Sequence, residues 1–364
     1  MFVRHSNERI SMHKKTLYCI FAVAVMSVLF CVSTKRVTMN TFRPADIMLP
    51  KDIRTIVLVD RTDFKNQAVN IIEGVLTGEL PMEDRAAVQE GLAGMRNLLQ
   101  TTDRFHVVVD PNRYKGNSLT SVFPAPLSWS TIGSICGAHD AQAVVAIELF
   151  DSDFIVTDGK KRVKKKIRKG EATVEREVDE YFARGVMNMK LGIRLYDNIR
   201  REVVDDELFS RTQTWKSRAD SRGDAIEKLI RKSDATRVLC GRICENYIRK
   251  IAPLPIRITR KFYRKSKKAP AIEQGTRYAD VNKWNEAIAT WKKGLDGAPE
   301  KEAGYLAYNI AIGYEVLGDY DRALKWAQDA YTEYDNNLAQ SYVSMLRSRK
   351  ESERRLDEQM DGGE

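Results

Sequence analysis

Short apolar runs alternate with helically spaced apolar positions along residues 53–150. The runs at 53–62, 104–110 and 141–150 are rich in β-branched residues and end in polar ones, which is typical of buried strands. Strands that alternate with helices predict an α/β domain whose sheet is at least partly parallel. Between the first two runs the spacing predicts one helix through Ala68, Val69, Ile72, Val75 and Leu76, and another through Val88, Leu92, Met95 and Leu99.

A further short helix is predicted between the second and third runs. Ser128 can accept a hydrogen bond from the first turn of a helix over 129–136. Gly137 can adopt the left-handed conformation that ends such a helix. We therefore expect this helix to begin after Ser128 and to end at Gly137.

The pattern changes to strict alternation later in the same domain. Odd positions from 187 to 195 are apolar, whereas Asn188, Lys190 and Arg194 lie between them. Period two predicts a strand with one buried face. Asp158–Gly159 and Asp197–Asn198 are typical hairpin-turn sequences, so we expect the domain to finish as an antiparallel meander joined to the sheet. Helical spacing then predicts one long helix from 224 to about 250, which Pro253 and Pro255 end.

Beyond Pro270, small and aromatic residues recur after thirty-six positions. This spacing resembles the tetratricopeptide repeat, in which small residues let antiparallel helices approach and aromatic residues fill the gap between repeats. It predicts repeats at 268–301 and 304–337, followed by a capping helix at 339–356. The first set is Gly275, Tyr278, Ala287, Trp291, Gly294 and Pro299, and the second is Ala311, Tyr314, Ala323, Ala327, Ala330 and Asp335.

A protein-binding groove is predicted on the first helix of the second repeat. In repeats of this kind the first helix of each pair lines the concave face. Tyrosines beside a carboxylate suit a peptide segment, because aromatic rings supply contact area and the acid supplies orientation. The alternative is that both tyrosines pack on the preceding domain. The predicted groove residues are Tyr305, Tyr308, Ile312 and Glu315.

The first thirty-odd residues look like a membrane-targeting segment. No residue from Leu17 to Val32 is charged, and Lys14 and Lys15 precede this run. A basic start followed by an apolar centre is typical of an export signal or anchor. Lipid attachment at Cys31, retention as an uncleaved anchor and simple cleavage all stay open, and translation can start at Met1 or Met12. We therefore expect a membrane-anchored protein of the cell envelope that faces the periplasm.

These patterns divide the chain into four parts. Residues 1–34 form the signal or anchor, 47–222 the α/β domain, 223–268 a helical connector, and 269–364 the repeats with their capping helix. The predicted fold class is thus an α/β domain with a mixed sheet and an antiparallel meander, followed by an all-α repeat region.

Two basic runs give the chain its positive character. The net charge is +10 at pH 7, which favours phosphate-rich or other anionic surfaces without specifying one. A second run at 257–268 interleaves Phe262 and Tyr263 with cations, which suits nucleic acid or lipid. For an exported protein lipid is the accessible partner, and nucleic acid is not expected. The main run comprises Lys160, Lys161, Arg162, Lys164, Lys165, Lys166, Arg168 and Lys169, which we expect on a projecting hairpin, either as an anionic-surface site or as a solvated sheet edge.

Catalytic and metal-binding motifs are missing from the sequence. Phosphate-binding glycine loops, zinc-ligand spacings and nucleophile turns do not occur, so we expect no enzyme activity, no cofactor and no metal. Cys136 with His139 and Asp140 is the one arrangement to consider as a nucleophile, but a packed thiol is the expected state. Cys240 and Cys244 lie on one face of a predicted helix, where we expect them to be buried apolar groups.

Several stretches together resemble a known family. They are "VLTGELPMED", "LSWSTIGSIC", "AIELFDSD", "RKFY" and "KWNEAIATWKKG", read together with the anchored N-terminus. The chain resembles an uncharacterised family of Bacteroidetes-type envelope lipoproteins whose C-terminal part is tetratricopeptide-like. The resemblance implies a lipidated cysteine and carries no assigned activity. The opening strand and helix order is also similar to the periplasmic domain of curli-secretion and penicillin-binding-protein-activator lipoproteins.

The resulting hypothesis is a non-enzymatic envelope protein. It would use its helical repeats to bind an unidentified envelope protein in assembly or scaffolding. The alternative is a membrane-surface protein whose basic hairpin binds anionic lipid or glycan, and a nucleic-acid binder comes third.

Overall fold

The computed structural model describes residues 33–62, 70–72, 75–77, 81–116, 123–169 and 172–360. Within these ranges the side chains of residues 70–83, Ile167, Lys169 and Ala172 are outside the description. The described residues form two compact units. The helical unit runs up to Thr41 and again over Ile256–Arg354, and the sheet unit comprises Phe42–Pro255 and the residues from Arg355 on.

The sheet unit is built on a five-stranded mixed sheet in the order β5 (His106–Arg113), β2 (Thr55–Asp60), β6 (Ala143–Lys169), β7 (Ala172–Asp197) and β8 (Glu202–Ala219). β2 is parallel to both β5 and β6, whereas β6 to β8 are antiparallel. Its strands and helices are β2 (Thr55–Asp60), α1 (Pro81–Leu99), β5 (His106–Arg113), α2 (Trp129–Ala138), β6 (Ala143–Lys169), β7 (Ala172–Asp197), β8 (Glu202–Ala219), α3 (Arg222–Glu227) and α4 (Lys232–Ile251).

Burial of apolar faces explains this arrangement. The predicted α1 face of Val88, Leu92, Met95 and Leu99 is buried, together with the odd-numbered apolar residues of β7. Strand β2 has apolar side chains on both faces, because α1 and α4 contribute to the core on one side and α2 on the other. The predicted strands, the second helix and the period-two strand are therefore confirmed.

Ser128 caps α2 as predicted, because its hydroxyl oxygen accepts a hydrogen bond from the Thr131 amide at 3.2 Å. The predicted helix end was wrong. The helix continues through Gly137 to Ala138, and Asp140 rather than Gly137 has the positive φ, at 50°. An aspartate tolerates this conformation because its short side chain can hydrogen-bond locally.

Two predicted helices were also wrong. The segment expected as a helix through Ile72, Val75 and Leu76 contains the short antiparallel strands β3 (Asn70–Ile72) and β4 (Val75–Thr77), as its β-branched residues favour. Ala68 and Val69 of that prediction lie outside the described residues. The helix predicted over 224–250 is interrupted between α3 and α4, where the capped turn of α3 ends at Glu227.

The predicted turn at Asp158–Gly159 is also absent, because both residues lie inside β6. Asp158 lies opposite Ala183 and Gly159 opposite Phe182. The Asp158 carboxylate accepts hydrogen bonds from Arg222 at 2.6 and 3.0 Å, which holds this position in the sheet. Pairing continues to Lys169 and Ala172, so both strands of the hairpin run well past the predicted turn. The turn after Asp197 is confirmed, with Asp197 accepting from the amides of Ile199 and Arg200.

The helical unit contains five helices among the described residues and a two-stranded sheet. The strands are β1 (Thr34–Arg43) and β9 (Leu254–Tyr263), neither of which was predicted. The helices are α5 (Pro270–Asp280), α6 (Trp284–Lys293), α7 (Glu300–Val316), α8 (Tyr320–Thr332) and α9 (Asn337–Met360). A mixed-sheet domain followed by a C-terminal all-helical region is therefore confirmed.

Candidate functional site

The tyrosine face of α7, defined by the predicted groove residues Tyr305, Tyr308, Ile312 and Glu315, is buried within the helical unit. Each of these residues is less than one-tenth exposed. Tyr263 of β9 stacks on Tyr305 with ring centroids 3.8 Å apart, and its ring meets Tyr308 edge-on. The chain's own strand thus covers much of the face on which a partner was expected.

Hydrogen bonds and an ion pair hold β9 against α7. The buried Asn309 amide oxygen accepts from the Tyr263 backbone N–H at 2.8 Å, and its NH₂ group donates to the Tyr263 carbonyl at 2.7 Å. Arg260 donates to both oxygens of Glu315 at 2.7 to 3.1 Å. Tyr342 of α9 also donates to Glu315, at 2.7 Å. The carboxylate predicted to orient a peptide is therefore already paired inside the protein.

Burial also affects the ionisation of this face. It raises the pKa of Tyr308 to about 12, and the neighbouring Tyr263 adds to the shift. Burial likewise raises the pKa of Tyr263 itself. These hydroxyls are therefore neutral near pH 7, and the face is an uncharged aromatic layer around one paired carboxylate.

A pocket of about 410 Å³ opens beside the end of this face. Tyr263 and Tyr305 form its aromatic wall, and Asn336 is fixed there by donating to the Gly304 carbonyl at 2.9 Å. Leu338 is 58 % exposed at the pocket. Of the predicted groove residues, only Tyr305 lines it. The remaining lining residues are Glu300, Lys301, Tyr334, Asp335 and Asn337.

The main basic run lies on β6 and is exposed. β8 ends at Ala219, opposite Tyr181, so beyond this point β6 and β7 pair only with each other among the described strands. We call this extension, Lys161–Lys169 with Ala172–Glu180, the ribbon. Its nine residue pairs span about 30 Å at a strand's rise per residue. Lys160 lies at its base, and of the eight predicted cations only Lys169 has a side chain outside the description.

Sequence reasoning missed the acidic residues opposite this run. Asp179 pairs with Lys160 at 3.2 Å and lies 3.9 Å from Arg162. Glu180 lies 3.4 Å from Lys161 and 3.9 Å from Lys165. These pairs, whose cations are exposed, help to stabilise a two-stranded ribbon, although each contributes little by itself. In the sequence, the signal for these pairs was the cluster of glutamate and aspartate at 175–180, which follows the basic run closely enough for the two segments to pair as a hairpin.

A buried ionic cluster in the sheet unit was also missed. Glu148 is fully buried at the end of the parallel strands, where Arg61 and Tyr196 donate to its carboxylate. Arg194 lies 3.4 Å from the same carboxylate and over the Phe123 ring, 4.4 Å from its centroid. Every charge in the cluster has an opposite partner, as burial requires. In the sequence, the signal for this buried cluster was the glutamate inside the apolar run 143–150.

The residues considered for nucleophilic chemistry are not arranged for it. Cys136 is buried, and burial together with Asp197 raises the pKa of its thiol to about 11. His139 lies near Asp110, at 3.6 Å, rather than serving Cys136 as a base. Cys240 and Cys244 are buried, as expected. Within the described part of the chain, no group of three His, Cys, Asp or Glu side chains is placed to hold a metal ion.

The predicted anchor cannot be compared with the fold. Residues 1–32, including Cys31, lie outside the described residues. Among the helices that the structure does describe, none combines the length and the apolarity needed to cross a bilayer.

Comparison with known families assigns the sheet unit and β9. A family model described as a domain of unknown function, DUF8603, matches residues 53–263, which is more than half of the chain. The chain belongs to the DUF8603 family. The DUF8603 match contains the whole ribbon and the Tyr263 that covers α7. A second model, the domain of unknown function DUF6340, matches residues 273–348 and thus the tyrosine face. No curated protein matches the chain significantly.

Proposed function

We propose that this protein is a non-enzymatic membrane-surface protein of the cell envelope, which binds anionic lipid through the ribbon. The observation that carries the proposal is the contrast in exposure between the two predicted sites. The cations of the ribbon extend beyond the sheet into solvent, with Lys161 45 % and Arg162 80 % exposed. The tyrosine face is occupied by β9. Clustered cations attract anionic headgroups over a Debye length, with roughly 1 kcal/mol per cation near the surface.

Membrane attachment by the N-terminal segment is part of this proposal and rests on the sequence alone. The run from Leu17 to Val32 would hold the chain at a bilayer, either as an anchor or through lipid on Cys31. A topology reporter fused after Glu364 should be active on the periplasmic side. Mass spectrometry of the N-terminal peptide, with Cys31→Ala as control, distinguishes lipidation from an anchor. A cytoplasmic reporter would exclude the envelope location.

Flotation with vesicles tests the ribbon. The full-length chain is compared on phosphatidylcholine vesicles with and without phosphatidylglycerol, because the N-terminal segment contributes to both and cancels in the ratio. The anionic-to-neutral binding ratio should exceed one and fall as salt is raised. In a variant with six cations replaced by glutamine, this binding ratio should fall to about one. The replaced residues are Lys160, Lys161, Arg162, Lys164, Lys165 and Arg176. An unchanged ratio in this variant would remove the proposal.

The helical unit supports a second candidate, the docking of an envelope protein. The finer assignment as tetratricopeptide-like repeats is part of it. Equivalent small positions are fully buried in both halves, including Ala287 with Ala323, and Gly275 lies against Trp291 so closely that a Cβ would be 2.2 Å from its indole nitrogen. That approach is what paired helices of such repeats need. The pocket beside Tyr305 favours this candidate, since aromatic walls with a few polar groups suit a short peptide segment.

Photocrosslinking in intact cells tests the pocket. A crosslinking amino acid at Leu338, at the pocket, is compared with one at Leu317, which is 44 % exposed in the same unit but does not line the pocket. A docked partner should be captured from position 338 and not from 317. Equal capture at both positions, or none at 338, would count against docking there.

A further inference from the structure

Strand register divides the charges of the ribbon between two faces. Residues directly opposite each other in an antiparallel pair lie on the same face, and neighbours along a strand alternate. Even positions of β6 from Lys160 on therefore share a face with odd positions of β7. This face continues into Ala183 and Met187, which pack in the core with α4, so we call it the helix-side face. The opposite one is the open face.

The helix-side face of the ribbon is a lattice of opposite charges. Arg162 lies opposite Asp179, Lys164 opposite Glu177, and Lys166 opposite Glu175. In this part of the face, no apolar aliphatic side chain accompanies the described cations. Opposite charges on directly facing positions attract each other. Counted from Lys160 at its base, this face has five described cations and three carboxylates, because Lys160 and Arg168 lie opposite Tyr181 and Thr173. It therefore neutralises much of its own charge.

The open face combines cations with apolar side chains. Val163 lies opposite Val178, and Val174 is 47 % exposed nearer the tip. Towards the base, the open face continues onto β8, where Lys216 lies opposite Arg184 and Arg218 opposite Phe182. Among the described side chains it carries six cations against two carboxylates. The cations are Lys161, Lys165, Arg176, Arg184, Lys216 and Arg218, and the carboxylates are Glu180 and Asp220, of which Asp220 follows β8 and pairs with Lys165 at 2.6 Å.

The carboxylates of the open face are outnumbered locally as well. Glu180 has Lys161 at 3.4 Å, and Lys165 and Arg218 each at 3.9 Å. One carboxylate thus lies among three cations that stay 40 to 63 % exposed. The local field is therefore positive even with this acid in place.

The apolar residues identify the kind of anionic surface. A polynucleotide is held by cations and by aromatic rings that stack on bases. The apolar residues of the open face are β-branched except Phe182, whose ring packs so closely over Gly159 that a Cβ there would lie 2.7 Å away. A bilayer interface accepts such side chains at the boundary between headgroups and acyl chains. Lysine and arginine beside them can lay their aliphatic stems along the apolar surface and keep their charge at the headgroups.

We infer that the open face, and not the helix-side face, lies against an anionic bilayer, with Val163, Val174 and Val178 in the headgroup region. This inference rests on the proposed lipid-binding function and specifies which side of the ribbon carries it. It also adds Arg184, Lys216 and Arg218 to the binding surface, although they lie outside the ribbon and outside the basic run of the sequence.

Two charge-matched triple variants of the full-length chain test the orientation by flotation. The open-face triple is Lys161→Gln, Lys165→Gln and Arg176→Gln, and the helix-side triple is Lys160→Gln, Arg162→Gln and Lys164→Gln. Each removes two lysines and one arginine. At about fivefold per cation near a lipid surface, the open-face triple should lower binding to phosphatidylglycerol vesicles about tenfold or more, and the helix-side triple less than about threefold.

The outcomes separate the orientation from the function. If both triples lower binding equally, or if only the six-residue variant does, the open-face assignment is wrong and lipid binding by the ribbon stands. If all three variants bind like the parent, both proposals fail. Circular dichroism and thermal unfolding of each variant show whether the β-structure is retained.

The depth at which each face enters the bilayer is a second measurement, and a general loss of charge would not change it. Val174→Trp places an indole on the open face, and Thr173→Trp places one on its exposed neighbour on the other face. With brominated phosphatidylglycerol vesicles, the fluorescence added by Val174→Trp should be quenched and blue-shifted. That added by Thr173→Trp should stay at its value in water. Equal quenching at both positions would overturn the assignment.

Discussion

The tyrosine face of α7 is buried under β9, whereas the ribbon leaves its cations in solvent. Both regions combine charged groups with aromatic or branched apolar side chains. On α7 the charges meet one partner each, with Arg260 bound to Glu315 in a site from which water is largely excluded. At the base of the ribbon, Lys161, Lys165 and Arg218 surround the carboxylate of Glu180, and these three cations stay 40 to 63 % exposed. Residues of the same types are therefore buried on the tyrosine face and remain in solvent on the ribbon.

Solvent determines how much each contact contributes to stability. Breaking a buried ion pair leaves an uncompensated charge that water cannot reach, which costs about 3–5 kcal/mol. An exposed pair is screened, and its loss costs less than about 1 kcal/mol. Stability and binding should therefore separate between the two regions, with changes on α7 affecting folding and changes on the ribbon affecting association.

Arg260→Ala should produce the largest effect. It leaves the Glu315 carboxylate, which is 3 % exposed, without an opposite charge and with only the Tyr342 hydroxyl as a hydrogen-bond donor among the contacts described. We expect the free energy of unfolding of the helical unit to fall by about 3–5 kcal/mol, measured by denaturant unfolding.

An apolar pair provides the control for this prediction. Arg260→Met with Glu315→Leu removes both charges and should recover most of the lost stability, because no buried charge remains. If Arg260→Ala costs less than about 1 kcal/mol, β9 does not close the tyrosine face in solution, and the contrast with the ribbon disappears.

Periodicity predicted the elements whose burial is decided locally. The α1 face, the alternation on β7 and the cap at Ser128 each depend on neighbours along the chain, so their sequence patterns sufficed. β9 was missed because "RITRKFY" alternates cations with apolar residues, and its basic character outweighed that alternation. β1 was missed in the same way, since its residues are half exposed and its partner is more than two hundred positions away.

The candidate sites also depended on pairing between distant segments, which the sequence patterns did not predict. Eight cations were assigned to a hairpin correctly, but the sorting of charge onto two faces depends on register, which the wrong turn at Asp158–Gly159 concealed. Exposure of Tyr305 and Tyr308 was assumed from the repeat pattern, and that pattern contains no information about a covering strand. Long-range pairing thus decides which predicted surface stays open.

Asn309→Ala should have the next largest effect. Its amide satisfies both the N–H and the carbonyl of Tyr263, which are buried, so its loss leaves two backbone groups unpaired. We expect a loss of about 2–4 kcal/mol in denaturant unfolding of the helical unit.

Asn188→Ala on β7 is the matched control, because Asn188 makes an exposed side-chain hydrogen bond with Thr212 at 2.8 Å. Its cost should stay below about 0.5 kcal/mol. Similar costs for the two asparagines would contradict the closed state of the tyrosine face.

Alkaline pH should weaken the helical unit through Tyr308. The folded-state pKa is raised to about 12 from 10.0, so the unfolded chain ionises first as pH rises. The stability that this neutral hydroxyl contributes is complete below about pH 10 and is lost between about pH 10 and 12, by up to about 1.4 kcal/mol per pH unit.

Denaturant unfolding between these pH values checks the effect. Tyr308→Phe should reduce the alkaline loss, since no proton is then released from this position. Tyr331→Phe, at a tyrosine 38 % exposed on α8, controls for the loss of a hydroxyl. An unaltered pH dependence in Tyr308→Phe would show that the ring is hydrated in the folded protein.

Lys161→Ala should produce the smallest change in stability, although it lies at the centre of the proposed lipid surface. Its side chain is 45 % exposed and its ammonium lies 3.4 Å from Glu180, which keeps Lys165 and Arg218 as partners when Lys161 is removed. We expect unfolding to change by less than about 0.5 kcal/mol while binding to anionic vesicles falls severalfold. The opposite result, a destabilised sheet unit with unchanged binding, would mean that this cation holds the ribbon together, and it would contradict the division between a buried structural face on α7 and a binding face on the ribbon.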